Sequence, residues 1–396
     1  MVSILLLLIE TVFMYLLYKK YGFKNAILLV YIIVFFYCNA IVIDFYFLLR
    51  IKELNDYVTI SRDSIAMDLT VFSYFLFLGT YFIGFYYLKL KTPLKQTFNK
   101  SKSSNILIYT SIFVMLLIIS INSKVTRLDL KESGNIFTTS INWFILFYWS
   151  YVVFCKKEIS KKLLLFYSTV VIFYCVYTYE REPIVFFGVL LALRFSKKIK
   201  LIYVIPSGII SLYVLSYYKA FYLIILRGYD SKIFFKYVSN NPISLSKLDP
   251  TASFRLLYDF FDTKPLFYYD YNFTYFTSFI DQFNRYINGH TVFSMSKVAS
   301  RYYVGDTYGL AFSMILESVI NFWYFGPIIL AIVARVIYKY LKTKFYYLNE
   351  VIDLIFIMFF LSFVRTELIV MSKVFIFPMI LFLLIVHFNF KKTVHF

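Results

Sequence analysis

The chain has 396 residues, 61% of them hydrophobic and 16% charged, with a formal net charge of +19 and a mean hydropathy of +0.71. Soluble domains carry about a quarter charged residues, so this composition excludes an ordinary soluble fold. Recurrent apolar runs of about 17–25 residues, each able to cross a hydrocarbon core of about 30 Å as a helix, predict an all-α polytopic integral membrane protein; they lack the alternation of a transmembrane β-barrel.

Spans are expected at 2–18, 26–48, 69–88, 104–121, 137–154, 163–179, 183–197, 201–218, 318–338, 351–364 and 368–388, about eleven helices in all. The first has no basic segment before it and no small-residue cleavage site after it, so it reads as a retained helix rather than a signal peptide. Cys38, Cys155 and Cys175 fall in or beside apolar runs without CxxC spacing. They read as packed membrane cysteines, not as a disulfide or a metal site.

Lysines and arginines concentrate in alternate connections: Lys19 to Lys24, Lys89 to Lys102, Lys156 to Lys162, Arg194 to Lys200, Arg335 to Lys344, and Lys391 with Lys392. Only Glu158, Glu350 and Asp353 offset them, so this face carries the whole +19 excess and the rest of the chain is neutral. The positive-inside rule makes that face cytoplasmic, with the N-terminus outside and the C-terminus inside. The same pattern accounts for the basicity without a nucleic-acid partner. These lysines read as topology determinants.

Three regions break the apolar pattern. The turn Glu180-Arg181-Glu182-Pro183 joins two spans, with Pro183 suited to the first position of a helix. The following run is short for the bilayer, which recesses Arg181 near a helix N-terminus, a setting that favours phosphate; an intraloop Glu–Arg pair is the competing reading. The outer segment 227–308 mixes both charge signs with many aromatics, among them Arg255, Arg285, Arg301, Asp306 and His290. Amphipathic helices lying on the bilayer are expected at about 251–261, started by Asp249-Pro250, and at about 275–287. Its aromatics suit either an interfacial belt or stacking on sugar rings. Last, Glu317 and Asn321 lie one turn apart, and Arg365, Glu367 and Lys373 flank the start of the final span. Charges at membrane depth usually mark interior or functional positions; Glu317–Lys373 and Glu367–Arg365 structural pairs are the alternative.

The organisation is thus an N-terminal bundle of about eight helices (1–226), a large outer loop with amphipathic helices (227–308) and about three C-terminal helices (309–396). This layout resembles the O-antigen polymerase family, the Wzy-type polymerases of oligosaccharide repeat units. Leu316-Glu317-Ser318, Asn321-Phe322 and Phe325-Gly326 look like that family's E-x-x-x-N-F-G region, with Trp323 and Tyr324 intervening. Phe363-Val364-Arg365-Thr366-Glu367 looks like its arginine-containing turn before the last helix, while Tyr179-Glu180-Arg181-Glu182 lacks the usual small neighbours.

The resemblance implies a multi-helix, lipid-linked glycosyltransferase of the bacterial inner membrane, with its loop and active site facing the periplasm. It would transfer a growing chain from undecaprenyl pyrophosphate to a hydroxyl of the next repeat unit. No cofactor or metal is implied; arginines would neutralise the leaving diphosphate. Arg181, Arg255, Arg285, Arg301 and Arg365 are the candidates, with Lys219 and Lys373 as further contacts or snorkelling lysines. Glu317, Asp306 and His290, in that order, are candidates for a base at the acceptor hydroxyl. Undecaprenyl-pyrophosphate-linked glycans and membrane lipids are the expected partners, with a polysaccharide chain-length regulator alongside. Competing readings are an O-antigen ligase, kept open by His290, a repeat-unit flippase, a membrane acyltransferase, and a non-catalytic membrane protein.

Overall fold

A computed structural model describes residues 2–22, 25–48, 52–54, 58–88, 251–265, 295–305, 312–364, 368–371, 375–376 and 378–384, with isolated positions between 147 and 239. The chain divides into two compact units, Met1–Pro93 with Ser244–Ile376, and Leu94–Ile243 with Phe377–Phe396. In the second unit the rings of Phe147 and Phe382 pack at 6.1 Å. The first unit holds all the elements below.

Helix α1 spans Val2–Tyr21 and ends on Lys19 and Lys20, whose charge suits the negative end of the helix dipole. Gly22 then takes φ +70°, where a side chain would be strained, and its N–H returns to the Tyr18 carbonyl at 2.8 Å. Asn25 caps α2 (Ala26–Ile43) by accepting from Ile27 N–H at 2.8 Å, and the helix runs on through a π-helical turn to Leu48. A two-residue ladder of β1 (Glu53–Leu54) and β2 (Ile60–Ser61) pairs Glu53 with Ser61 and Leu54 with Ile60. Ser64 caps α3 (Ile65–Tyr86) through Met67 N–H. Helix α4 covers Thr251–Asp262, α5 Met295–Val304, α6 Met314–Phe322, α7 Phe325–Lys344, α8 Asn349–Phe363 and α9 Leu368–Met371.

The protein is a membrane-embedded, mostly helical chain. Among the described residues, α1, α2 with its π-helical extension, and α3 are long and apolar enough to cross a membrane. The spans expected at 104–121, 137–154, 163–179, 183–197 and 201–218 lie outside the described residues, except for isolated Phe147 and Thr169, as do the 275–287 helix and, within 368–388, residues 372–374, 377 and 385–388.

Helices α1 and α3 run parallel and are tied at both ends. Ser3 donates its N–H and hydroxyl to Asp68 Oδ1 at 3.1 and 2.5 Å, and at the other end the Tyr21 hydroxyl donates to the Phe85 carbonyl at 2.6 Å. Helix α7 lies along α3, with Tyr338 against Phe85 at 5.6 Å, and α8 returns beside it, its Phe363 ring 5.4 Å from Phe77. The unit therefore has two unlike ends. One gathers Lys19, Lys20, Lys339, Lys342 and Lys344; there Lys342 Nζ pairs with Asp353 at 2.6 Å and donates to the Asn349 carbonyl at 2.8 Å. The opposite end carries the β-ladder, α4, and the junctions of α6 and α9.

Two expectations are corrected here. The 318–338 span is two helices, α6 and α7, broken at Trp323, whose φ of +52° and ψ of −140° no right-handed helix accommodates. Glycine permits the close return after the break: a Cβ on Gly326 would lie 2.1 Å from the Ser318 carbonyl oxygen. Helix α4 begins at Thr251 as expected, yet it does not lie on the bilayer. All its residues from Ser253 to Phe261 are buried, and it packs on α3, α2 and α6. An amphipathic pattern looks the same whether the polar face meets water or protein. Here protein supplies the partners that make burial affordable.

Inside the helices, Glu10 and Asn39 are fully buried, and Asn39 Nδ2 donates to Glu10 Oε2 at 2.6 Å. Lipid offers helices no hydrophobic drive to associate, so packing and such interhelical bonds hold them together. Glu10→Leu is expected to cost about 1–2 kcal/mol by orphaning the amide. Melting in detergent checks this: Glu10→Leu with Asn39→Leu together should recover much of the loss.

Candidate functional site

At the end away from the lysines, the polar residues of α4 stitch three parts of the chain together. The Tyr258 hydroxyl accepts from Ser61 N–H at 3.2 Å, and Arg255 Nη1 reaches the Val58 carbonyl at 3.5 Å, so both hold the segment before α3. Ser253 Oγ donates to the Val364 carbonyl at 3.4 Å, at the end of α8. Asp259 accepts from Thr263 Oγ1 at 2.8 Å and from the Tyr303 hydroxyl, which ties α4 to α5. Burial raises the Asp259 carboxyl above its usual range, while these two donors pull it back down.

Ser313 caps α6 by accepting from Leu316 N–H at 3.2 Å. The helix then presents Glu317, 2% exposed, whose Oε2 accepts from the backbone N–H of Leu368 at 2.8 Å. One turn on, Asn321 Nδ2 donates to the Glu317 carbonyl at 2.8 Å, so the expected neighbourhood of these two residues is real but runs through the backbone. The residues on either side of the 365–367 segment are thereby held: Val364 by α4 and Leu368 by α6.

Of the sequence candidates, Glu317 and Arg255 each lie at this end, and both are buried. Arg255, a candidate for the diphosphate, is 2% exposed, and its Nη1 braces the chain at the Val58 carbonyl. Arg301 is exposed on α5, next to Tyr303 and its bond to Asp259. Arg181, Arg285, Arg365, Asp306, His290, Lys219 and Lys373 lie outside the described residues, as do Glu180, Glu182, Pro183, Glu367, Asp249 and Pro250.

Sequence reading missed Asp259, Tyr303 and Ser253. Asp259 and Thr263 at helical spacing were a usable signal for a capped helix end; the other bonds join positions 44 and 111 residues apart. Trp323 and Tyr324, at the α6–α7 break, cover α4 with aromatic contacts to Phe260 at 5.8 Å and Phe261 at 6.0 Å. No protein-family model, curated protein or solved structure matches the chain.

Proposed function

We propose that the chain is a polysaccharide polymerase of the O-antigen polymerase type. It joins undecaprenyl-pyrophosphate-linked repeat units by glycosyl transfer at the periplasmic face of the bacterial inner membrane. The observation that carries this reading is the polarity of the helical unit: lysines collect at one end, and the other end is closed by a hydrogen-bonded cap of α4, α5 and α6. Positive charge at the cytoplasmic side then turns the cap outward, where lipid-linked glycans are assembled.

In this reading Arg301, with Arg181, Arg285 and Arg365, neutralises the charge developing on the leaving diphosphate; arginine forks suit phosphate oxygens. Arg255 supports the cap from within. Glu317 holds the chain next to Arg365 through Leu368, and the base at the acceptor hydroxyl falls to Asp306 or His290. A chain-length regulator is the proposed protein partner, and the protein needs no cofactor.

The buried Glu10–Asn39 pair favours a second reading, a repeat-unit flippase, because carboxylates inside membrane helices often line ion pathways. A deletion strain separates the two. Loss of a polymerase leaves surface glycan of single repeat units; loss of a flippase leaves units trapped on the cytoplasmic side, which would overturn the proposal.

Orientation is checked separately with single cysteines in a variant lacking Cys38, Cys155 and Cys175. Asp63→Cys, at the cap end, should react with an impermeant thiol reagent in spheroplasts, and Lys344→Cys only after lysis; both positions are exposed. The reverse pattern contradicts the reading.

A further inference from the structure

At the lysine-rich end, Arg335 of α7 crosses α3 at Gly84, where a Cβ would lie 3.0 Å from Arg335 Cδ and 3.8 Å from its Nε. The glycine lets the arginine stem rest on the α3 backbone. Gly84 belongs to the last turn of α3, a helix able to span the membrane, so the guanidinium sits close to where hydrocarbon gives way to headgroups. A charge at that depth needs a counter-charge or water. Nε is buried, with no acceptor among the described residues. The nearby acid Asp353 is engaged by Lys342 and by the Tyr338 hydroxyl at 2.7 Å. The last carbonyls of α3, those of Phe85 and Tyr86, accept from Tyr21 and Lys20.

Two further donors border the same place. Lys339, one turn beyond Arg335 on the same helix face, is exposed. Tyr87, three residues past Gly84, is 71% exposed and carries a hydroxyl. We propose that Arg335, Lys339 and Tyr87 form a binding site for the phosphate of an anionic glycerophospholipid at the lysine-rich face. The guanidinium meets the phosphate from its accessible side, Lys339 adds a second charge, and the acyl chains lie along the exposed Ile332, Val336 and Ile337 of α7. Simple snorkelling to water fits less well, because Nε is sealed from solvent where the stem crosses α3 at Gly84. The site does not depend on the polymerase reading.

Native mass spectrometry of the full-length protein in detergent tests this, with phosphatidylglycerol or phosphatidylcholine added. Phosphatidylglycerol should be retained preferentially. Arg335→Leu should weaken it about tenfold, the size of effect that losing one charged contact produces, and Arg335→Lys should retain part of the binding. Lys339→Leu with Tyr87→Phe, both at exposed positions, should also weaken binding without changing the melting temperature; this variant decides if Arg335→Leu fails to fold. Equal retention of the two lipids, or unchanged binding in the variants, overturns the proposal. So does stabilisation by inorganic phosphate equal to that by the lipid, which would mark a site for small anions.

Discussion

Gly326→Ala is expected to abolish or severely reduce recovery of folded protein. The new Cβ would lie 2.1 Å from the Ser318 carbonyl oxygen, 2.4 Å from its carbon and 2.9 Å from its Cβ. Two of those atoms are backbone inside α6, so no rotamer change relieves the clash. Either α7 shifts or α6 unwinds, and overpacking of this kind costs about 3 kcal/mol or more. Since α6 carries Glu317, the damage reaches the cap. Gly84→Ala is the control: its contact is the flexible Arg335 stem at 3.0 Å, which can give way. Size-exclusion profiles and melting in detergent should show a large loss for the first variant and little for the second. Near-normal behaviour of Gly326→Ala would mean that α6 and α7 do not meet this closely.

The second large effect is expected at Glu317, where two substitutions should part. Glu317→Leu leaves the Leu368 N–H without its buried acceptor and should cost about 1–3 kcal/mol. Glu317→Gln retains a carbonyl oxygen at the same reach. If the carboxylate serves to hold Leu368, the glutamine variant keeps the melting temperature and still supports glycan chain extension, while the leucine variant loses both. If Glu317 is instead the base at the acceptor hydroxyl, the glutamine variant folds normally and extends nothing. A glycan ladder from complemented cells, read beside protein level, distinguishes the outcomes. The positioning role predicts a ladder with Glu317→Gln.

The contrast between Gly326 and Glu317 shows what a single sequence can reveal. The start of α2 at Ala26 could be read because hydrophobic onset coincides there with the Asn25 cap, and that of α4 at Thr251 because Asp249-Pro250 precedes it. Helix α3 begins four residues before the expected span at 69–88. Ser64 and Asp68 make its first turn polar, and a hydropathy window discounts the turn that the Ser64 cap begins. The break at Trp323 is hidden because 318–338 is predominantly apolar, with Arg335 its one charged residue. Gly326-Pro327 was the available signal: proline belongs in the first turn of a helix, where its missing N–H leaves no bond unmade.

The candidate site was only partly legible. Spacing brought Glu317 and Asn321 together correctly, since one helical turn is local information. The fate of the Glu317 carboxylate depends on Leu368, 51 residues away, and that of Arg255 on Val58, 197 residues away. No periodicity encodes such pairs. They also explain why α4 is buried: its arginine, aspartate, serine and tyrosine look solvent-seeking until the distant partners are known.

The most direct measurement places purified full-length protein in liposomes and supplies undecaprenyl-diphosphate-linked repeat units on the face that bears α4. The account predicts a ladder of lengthening glycans, with undecaprenyl diphosphate released at each step. Repeat units that cross the bilayer without lengthening would contradict it.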